Sequence, residues 1–188
     1  MMDAMPAQPD DIPTPRLVLR LFPPAAVDAG VAGDVAGVAS LLGVAVSEDL
    51  LALASGLAFA RRRLVEDPAY QPWSMRAIVL RAERRMVGGI RFHTRPDPEY
   101  LHGTARGAVE LGYGVFPAYR GHGYAQEAAR AVMGWARAAH GVRHFVASVS
   151  PENAASLAVV ARLGFLRVGE QIDEIDGIEH VFLRQERD

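Results

Sequence analysis

Apolar and polar positions change period several times along this 188-residue chain, and each change predicts an element. Arg16-Leu17-Val18-Leu19-Arg20-Leu21 reads as a strand. Val27, Val31, Val35, Val38 and Leu42 then fall three and four apart, the apolar stripe of a helix, although its glycines weaken it. Ser47 suits the N-cap of a second helix carrying Leu50, Leu53, Leu57 and Leu64, ended by Pro68 and Pro72. From Trp73 the period shortens: residues 77–80 and 86–92 read as strands joined by a polar turn around Glu83. Residues 94–107 form a loop, and 108–116 another strand, stopped by Pro117. Residues 123–140 are helical, with Ala128, Val132, Trp135 and Ala139 on one face and Gly141 as the stop. A strand at 145–149, a short helix at 153–163 closed by Gly164, and two strands around Asp176-Gly177 complete the chain. The order predicts a mixed α/β sheet with helices packed on it.

Composition narrows the class. The length suits one domain, and a half-hydrophobic composition marks it as globular rather than disordered. Residues 1–13, rich in proline and aspartate, read as a flexible N-terminal tail before a domain spanning 14–188. A net charge of −2 offers no basic stripe for nucleic acid, and the run Arg61-Arg62-Arg63, followed by Glu66 and Asp67, reads as a solvated helix end. The absence of cysteine excludes a disulfide scaffold, a thiolate metal site and a cysteine nucleophile. The N-terminus has neither the basic start nor the apolar run of a signal peptide. Asp28, Asp34, Glu48 and Asp49 interrupt the Ala/Val/Leu/Gly-rich stretch from 25 to 60 before it could span a membrane, so a cytoplasmic protein with no membrane partner is expected. His140 and His144 are four apart, but Gly141 breaks the helix between them, so no metal is implied.

The segment ELGYGVFPAYRGHGYAQEAA, residues 110–129, carries the chemistry. A strand feeds a glycine-rich turn that opens into an alanine-rich helix. The first N–H groups of such a helix have no internal partners, and its positive dipole end points the same way, so the turn suits a phosphate. The ATP-type loop needs Gly-Lys-Ser/Thr, and no lysine is present; the dinucleotide fingerprint fails at its third glycine, where Gln126 stands. On glycine content alone, a tight turn with no ligand fits equally well.

Arg120, Gly123 and Ala125 reproduce the R-x-x-G-x-A/G core of the GNAT superfamily of acyl-CoA N-acyltransferases. TPRLVLRLF from Thr14, GYGVFPAYRGHGYAQEA from Gly112 and SVSPENAASLAVVARLGF from Ser148 extend the likeness across essentially the whole chain. Together they resemble the branch containing the ribosomal-protein alanine acetyltransferases. The resemblance implies a single-domain α/β fold with a mixed, mostly antiparallel sheet splayed at its centre and helices on both faces. It implies acetyl-CoA as co-substrate and a primary amine as acceptor, a small molecule or a protein N-terminus, and allows a homodimer.

Position by position, the resemblance places the pantetheine arm against the strand end at Val115 and Phe116. The pyrophosphate falls on the main chain of Arg120, Gly121, His122, Gly123, Tyr124 and Ala125, while the Arg120 side chain adds charge or anchors the loop. Asn153 resembles the family's asparagine that contacts the cofactor arm; as a residue it also reads as a helix N-cap. Glu110 stands where relatives often keep a glutamate acting as base through water, or it is only structural. The tyrosine that many members carry four residues before the Gly-Phe pair is Val160 here. Ser156, one helical turn earlier, matches a serine of the alanine-acetyltransferase branch and would meet both cofactor and thiolate; a satisfied helix hydroxyl is the alternative. A non-catalytic acyl-CoA sensor and a transferase of longer acyl groups share these features.

At the C-terminal hairpin, a two-residue turn at Asp176-Gly177 predicts that Asp173 faces His180 and Glu174 faces Glu179. Glu170, Asp173, Glu174, Asp176 and Glu179 would then form an acidic rim suited to a cationic acceptor.

Overall fold

Strand β2 (Leu17–Leu21) is buried on both faces, and its Arg20 is only 1% exposed. A buried guanidinium requires partners. In the computed structural model, which describes residues 7–173 and 177–186, Asp11 provides them at 2.7 and 3.1 Å and the Leu42 carbonyl at 2.8 Å. Arg76, 2% exposed, is likewise held by the Asp10 and Pro72 carbonyls, and burial lowers its pKa to about 10. A two-residue strand β1 (Ile12–Pro13) pairs with β2. The expected flexible tail is therefore corrected for residues 8–13: two buried cations recruit them into the fold.

The chain divides into two compact units, Met1–Arg91 with Tyr113–Val132, and Phe92–Gly112 with Met133–Asp188. In the first, β2 pairs antiparallel with β3 (Arg76–Leu80), and β3 with β4 (Arg85–Phe92) across a bulge at Ile78/Val79. Alternation puts Val18, Ala77, Val79 and Met86 on one face, where they meet Val27, Val38, Leu42, Leu50 and Leu57 in one core. Those residues come from α1 (Pro24–Val31), α2 (Val35–Leu42), a 3₁₀ segment at Glu48–Leu53 and α3 (Ala54–Glu66).

The single helix expected over 27–42 is thus two. The chain turns left-handed at Gly33, and Asp34 restarts it by accepting from the Gly37 N–H at 2.8 Å. The stripe spans the break because both helices face the same core. Ser47 does not cap its helix; its hydroxyl donates to Asp49 instead. The prolines do end α3, after which Asp67 caps a 3₁₀ turn at Pro68–Trp73.

In the second unit, β5 (Ala108–Val115) enters parallel to β6 (His144–Val149), paired from Ala108↔His144 to Glu110↔Val146 only. Beyond Glu110 the β5–β6 ladder stops, while β6 remains paired with β8 (Gly177–Gln185) along its whole length. β7 (Leu166–Asp173) pairs antiparallel with β8. The fold is α/β with mixed, mostly antiparallel pairing, as the resemblance implies. Leu101, Ala108, Val146 and Val181 pack together, and Phe92 stacks on Trp135 and Phe145 with centroids 6.4 Å apart. In α4 (Tyr124–His140) the buried residues are Ala128, Ala129, Val132, Met133 and Ala136; Ala139, expected on that face, is exposed.

The hairpin register also differs from expectation. His180 faces Glu170 and Glu179 faces Gln171, because Asp173 pairs with Gly177 and the connection is residues 174–176. Glu174 and Asp176 lie outside the described residues. The ladder places Gln171 opposite Glu179.

Candidate functional site

The glycine-rich turn belongs to the first unit. β5 ends at Val115, a 3₁₀ turn spans Pro117–Tyr119, and α4 begins at Tyr124. Gly121 and Gly123 both have φ of +78°, which an L side chain rarely adopts. The first helical bond is that from Glu127 N–H to the Gly123 carbonyl. Among the described residues, the N–H groups of residues 121–126 make no hydrogen bond. Six consecutive donors at a helix start are suited to an anion.

Side chains brace this turn from outside. Arg16 donates to Glu127 at 2.6 Å and to the His122 carbonyl at 2.9 Å, and lies 4.7 Å from the Tyr124 ring centroid. Glu127 also accepts from the Thr14 hydroxyl at 2.6 Å and the Arg16 N–H at 2.9 Å. Burial raises the Glu127 pKa, but these hydrogen bonds outweigh it and the net shift is downward. The His122 ring stacks on Tyr124 and sits 2.8 Å from the Arg120 carbonyl. A cavity of about 550 Å³ opens beside the turn, lined in part by Arg16, Gly123, Gln126 and Arg130.

Two of the expected contact residues are also bonded locally. Phe116 is 2% exposed within the core, and its N–H donates to Val87 at 2.8 Å, so it has no main-chain donor left for pantetheine. Arg120 donates from Nε to the Val115 carbonyl at 2.9 Å, which makes it an anchor of the loop.

A polar network lies in the second unit. Glu110 on β5 is 3% exposed, and three groups surround its carboxylate. Ser148 Oγ donates to Oε1 at 2.5 Å, Tyr100 Oη to Oε2 at 2.8 Å, and His93 Nδ1 stands 3.4 Å from Oε2. Gln171 Nε2 donates to both Ser148 and Glu179 at 3.0 Å. Burial pushes the Glu110 pKa up, but the hydrogen bond and charge of His93, with the Ser148 and Tyr100 hydroxyls, win and hold it at about 2.

Sequence reasoning missed Ser148, Tyr100, His93 and Gln171. A serine inside the otherwise apolar strand FVASV was the one available signal. No hydrogen bond joins Ser156 to Glu110 among the described residues. Ser156, half-buried on α5 (Ala154–Arg162), donates its N–H to Asn153 Oδ1 at 3.0 Å, so Asn153 is an N-cap in this structure.

A stability prediction follows from the Glu110 shift. A carboxyl whose folded pKa lies below its unfolded value stabilises the fold above the unfolded value, and that stabilisation fades as pH falls through the folded one. From 4.5 to about 2 this amounts to roughly 3 kcal/mol. Glu110→Gln should therefore destabilise the protein at pH 7, with the gap from wild type narrowing below pH 4.5 in denaturant titrations. A gap constant with pH would mean the carboxylate's charge contributes nothing.

A family model for the acetyltransferase (GNAT) domain matches residues 16–166. No curated protein matches the sequence. The fold is similar to that of a ribosomal-protein-S5-alanine acetyltransferase from Vibrio fischeri, with 18% identity, 95% of this chain and 97% of that one covered, and a TM-score of 0.63. It is also similar to an acetyltransferase from Agrobacterium tumefaciens, with 23% identity, 99% of both chains covered and a TM-score of 0.61. A ribosomal L7/L12 α-N-protein acetyltransferase solved with coenzyme A gives 18% identity, 93% and 97% coverage and a TM-score of 0.60. No helix among the described residues is long and apolar enough to cross a membrane.

Proposed function

The chain belongs to the acetyltransferase (GNAT) domain family, and on that premise we propose that it transfers the acetyl group of acetyl-CoA to a primary amine by direct attack in a ternary complex. The observation that carries this reading is the run of N–H groups at residues 121–126, which offers the pyrophosphate a main-chain cradle.

The thioester is already activated, and the chain has no cysteine to carry an acyl group, so direct attack needs the fewest steps. The ammonium form of the amine loses one proton, the neutral nitrogen bonds the thioester carbon, the C–S bond breaks, and the second proton, lost as the amide forms, passes to the departing CoA thiolate. Gly121, His122, Gly123, Tyr124 and Ala125 bind phosphate through the main chain while Arg120 holds the loop. Val115 meets the pantetheine arm, and Asn153 adds a contact from the side-chain atoms its cap leaves over. The acceptor is a small amine or a protein N-terminus; the solved acetyltransferases that act on ribosomal proteins favour including the latter.

Ser156 hydrogen-bonds the departing thiolate. Ser156→Ala should lower kcat about tenfold and leave the Kd for CoA within about threefold. A wild-type kcat would return Ser156 to the role of a helix hydroxyl. Glu110, held ionised, supplies a fixed negative charge to the acceptor end.

Measuring free CoA released from acetyl-CoA against a panel of amines, peptides included, tests the whole reading. Amine-dependent release supports it. A thermal shift with acyl-CoA but no release would make the protein a sensor, and faster release from longer acyl-CoA would change the donor.

A further inference from the structure

Glu127 carries its charge in the first turn of α4, the end at which the N–H groups of residues 121–126 would hold an anion. An unpaired carboxylate there would repel phosphate. Both of its oxygens are engaged instead. Oε1 accepts from the Thr14 hydroxyl at 2.6 Å and the Arg16 N–H at 2.9 Å, and Oε2 accepts from Arg16 Nε at 2.6 Å. The ion pair neutralises the acid and, in the same contact, fixes the guanidinium.

Arg16 is held from three sides. Nε is bonded to Glu127, Nη1 donates to the His122 carbonyl at 2.9 Å, and the guanidinium carbon lies 4.7 Å from the Tyr124 ring centroid. The rotamer entropy of this long side chain is therefore lost on folding rather than on binding a ligand. Nη2 is left over: among the described residues it makes no hydrogen bond. It stands 3.6 Å from the place a Cβ on Gly123 would take, beside the main chain of the turn. The Arg16 side chain is 47% exposed and borders the cavity next to the turn, so a ligand can reach it. Every residue of this arrangement lies in the first unit.

Resting on the reading of residues 121–126 as the pyrophosphate site, we propose that Arg16 is a further CoA-binding residue, its Nη2 donating to a pyrophosphate oxygen. Glu127 and Thr14 are positioning residues that hold the guanidinium for it. Arg16 then serves the turn twice. Nη1 anchors the His122 carbonyl, and Nη2 adds a full positive charge to donors that are otherwise neutral N–H groups.

Titration calorimetry with CoA, 3′-dephospho-CoA and pantetheine tests this. Arg16→Gln should weaken both nucleotides alike, on the order of 10-fold to 100-fold, the scale of one charge-assisted hydrogen bond. It should leave pantetheine, which has no phosphate, within about twofold, and CoA affinity should fall less steeply with salt than in wild type. Arg16→Lys keeps the charge but cannot bond Glu127, His122 and phosphate at once; it should recover the salt dependence and part of the affinity. Thr14→Val loosens the clasp and keeps the cation, so it should weaken CoA less than Arg16→Gln does, with the wild-type salt dependence. In wild-type protein, where no variant's folding intervenes, the Arg16 Nη resonances should shift on adding CoA and not on adding pantetheine.

Arg16→Gln binding CoA within about twofold of wild type, or losing affinity with an unchanged salt dependence, overturns the contact and leaves Arg16 a brace of the turn. Unshifted Nη resonances in the wild type do the same. A loss seen with CoA but not with 3′-dephospho-CoA moves the contact to the 3′-phosphate and overturns the pyrophosphate assignment. Wild-type protein that binds pantetheine as tightly as CoA overturns the phosphate reading of residues 121–126 itself, and the role of Arg16 with it.

Discussion

Gly123→Trp should lower affinity for CoA by at least about 100-fold, or roughly 2.7 kcal/mol, while the protein stays folded. The two halves of that expectation have separate causes. A Cβ at this position would meet only Arg16 Nη2, at 3.6 Å, which is ordinary contact. The fold therefore bears only the cost of a side chain at φ +78°, about 1–2 kcal/mol. Arg16, Glu127 and Thr14 hold the turn from the side and tolerate that strain. The ligand tolerates far less, because an indole beside the N–H groups of residues 121–126 covers the donors that would meet phosphate. Gly123→Ala separates the effects: it carries the strain without the bulk and should weaken binding by about tenfold at most. Titration calorimetry with CoA reads both. A folded Gly123→Trp with wild-type affinity would remove residues 120–125 from the cofactor site.

What the sequence made legible divides along a physical line. The glycine-rich turn was readable because its donors are in the main chain, and main-chain geometry leaves a local trace: Gly121, Gly123 and an alanine-rich helix start. Glu110 was singled out only through the resemblance, as the place where relatives often keep a glutamate. Its partners were not, because His93, Tyr100, Ser148 and Gln171 are spread over nearly eighty residues and meet only through strand register. The break at Gly33 was hidden because two helices on one core keep one stripe. The pairing of Arg20 with Asp11 was hidden for the opposite reason, since charge in a proline-rich start reads as solvated until a buried guanidinium requires it. At the C-terminal hairpin a favourable dipeptide at 176–177 suggested the shorter connection, and the ladder begins at Asp173↔Gly177 instead.

The bulge in β4 leads to the second large effect, on stability. Gly88→Ala should cost more than about 3 kcal/mol and lower Tm by roughly 6–12 °C. Across β3, Ile78 pairs with Gly88 but Val79 pairs with Met86, so Val87 is the extra residue of the bulged strand. The Val87 carbonyl accepts from the Phe116 N–H at 2.8 Å, which draws the 113–116 segment against β4. At this point a Cβ on residue 88 would lie 2.2 Å from the Gly114 carbonyl oxygen and 3.0 Å from the Val115 Cα. Both obstacles are backbone, so no rotamer relieves them; the strand must move or the Val87–Phe116 bond must lengthen. Either shift displaces Val115 and Phe116, the residues that lead into the cofactor turn, so CoA affinity should fall together with stability. Gly134→Ala is the control. It lies within α4 with nothing inside 4 Å of its Cβ, and alanine there should stabilise by about 0.5–1 kcal/mol through helix propensity. Thermal melts of the two variants should move in opposite directions. A Gly88→Ala protein melting within 2 °C of wild type, with unchanged CoA affinity, would show that the close approach of Gly88 and Gly114 does not constrain the strand that carries the site.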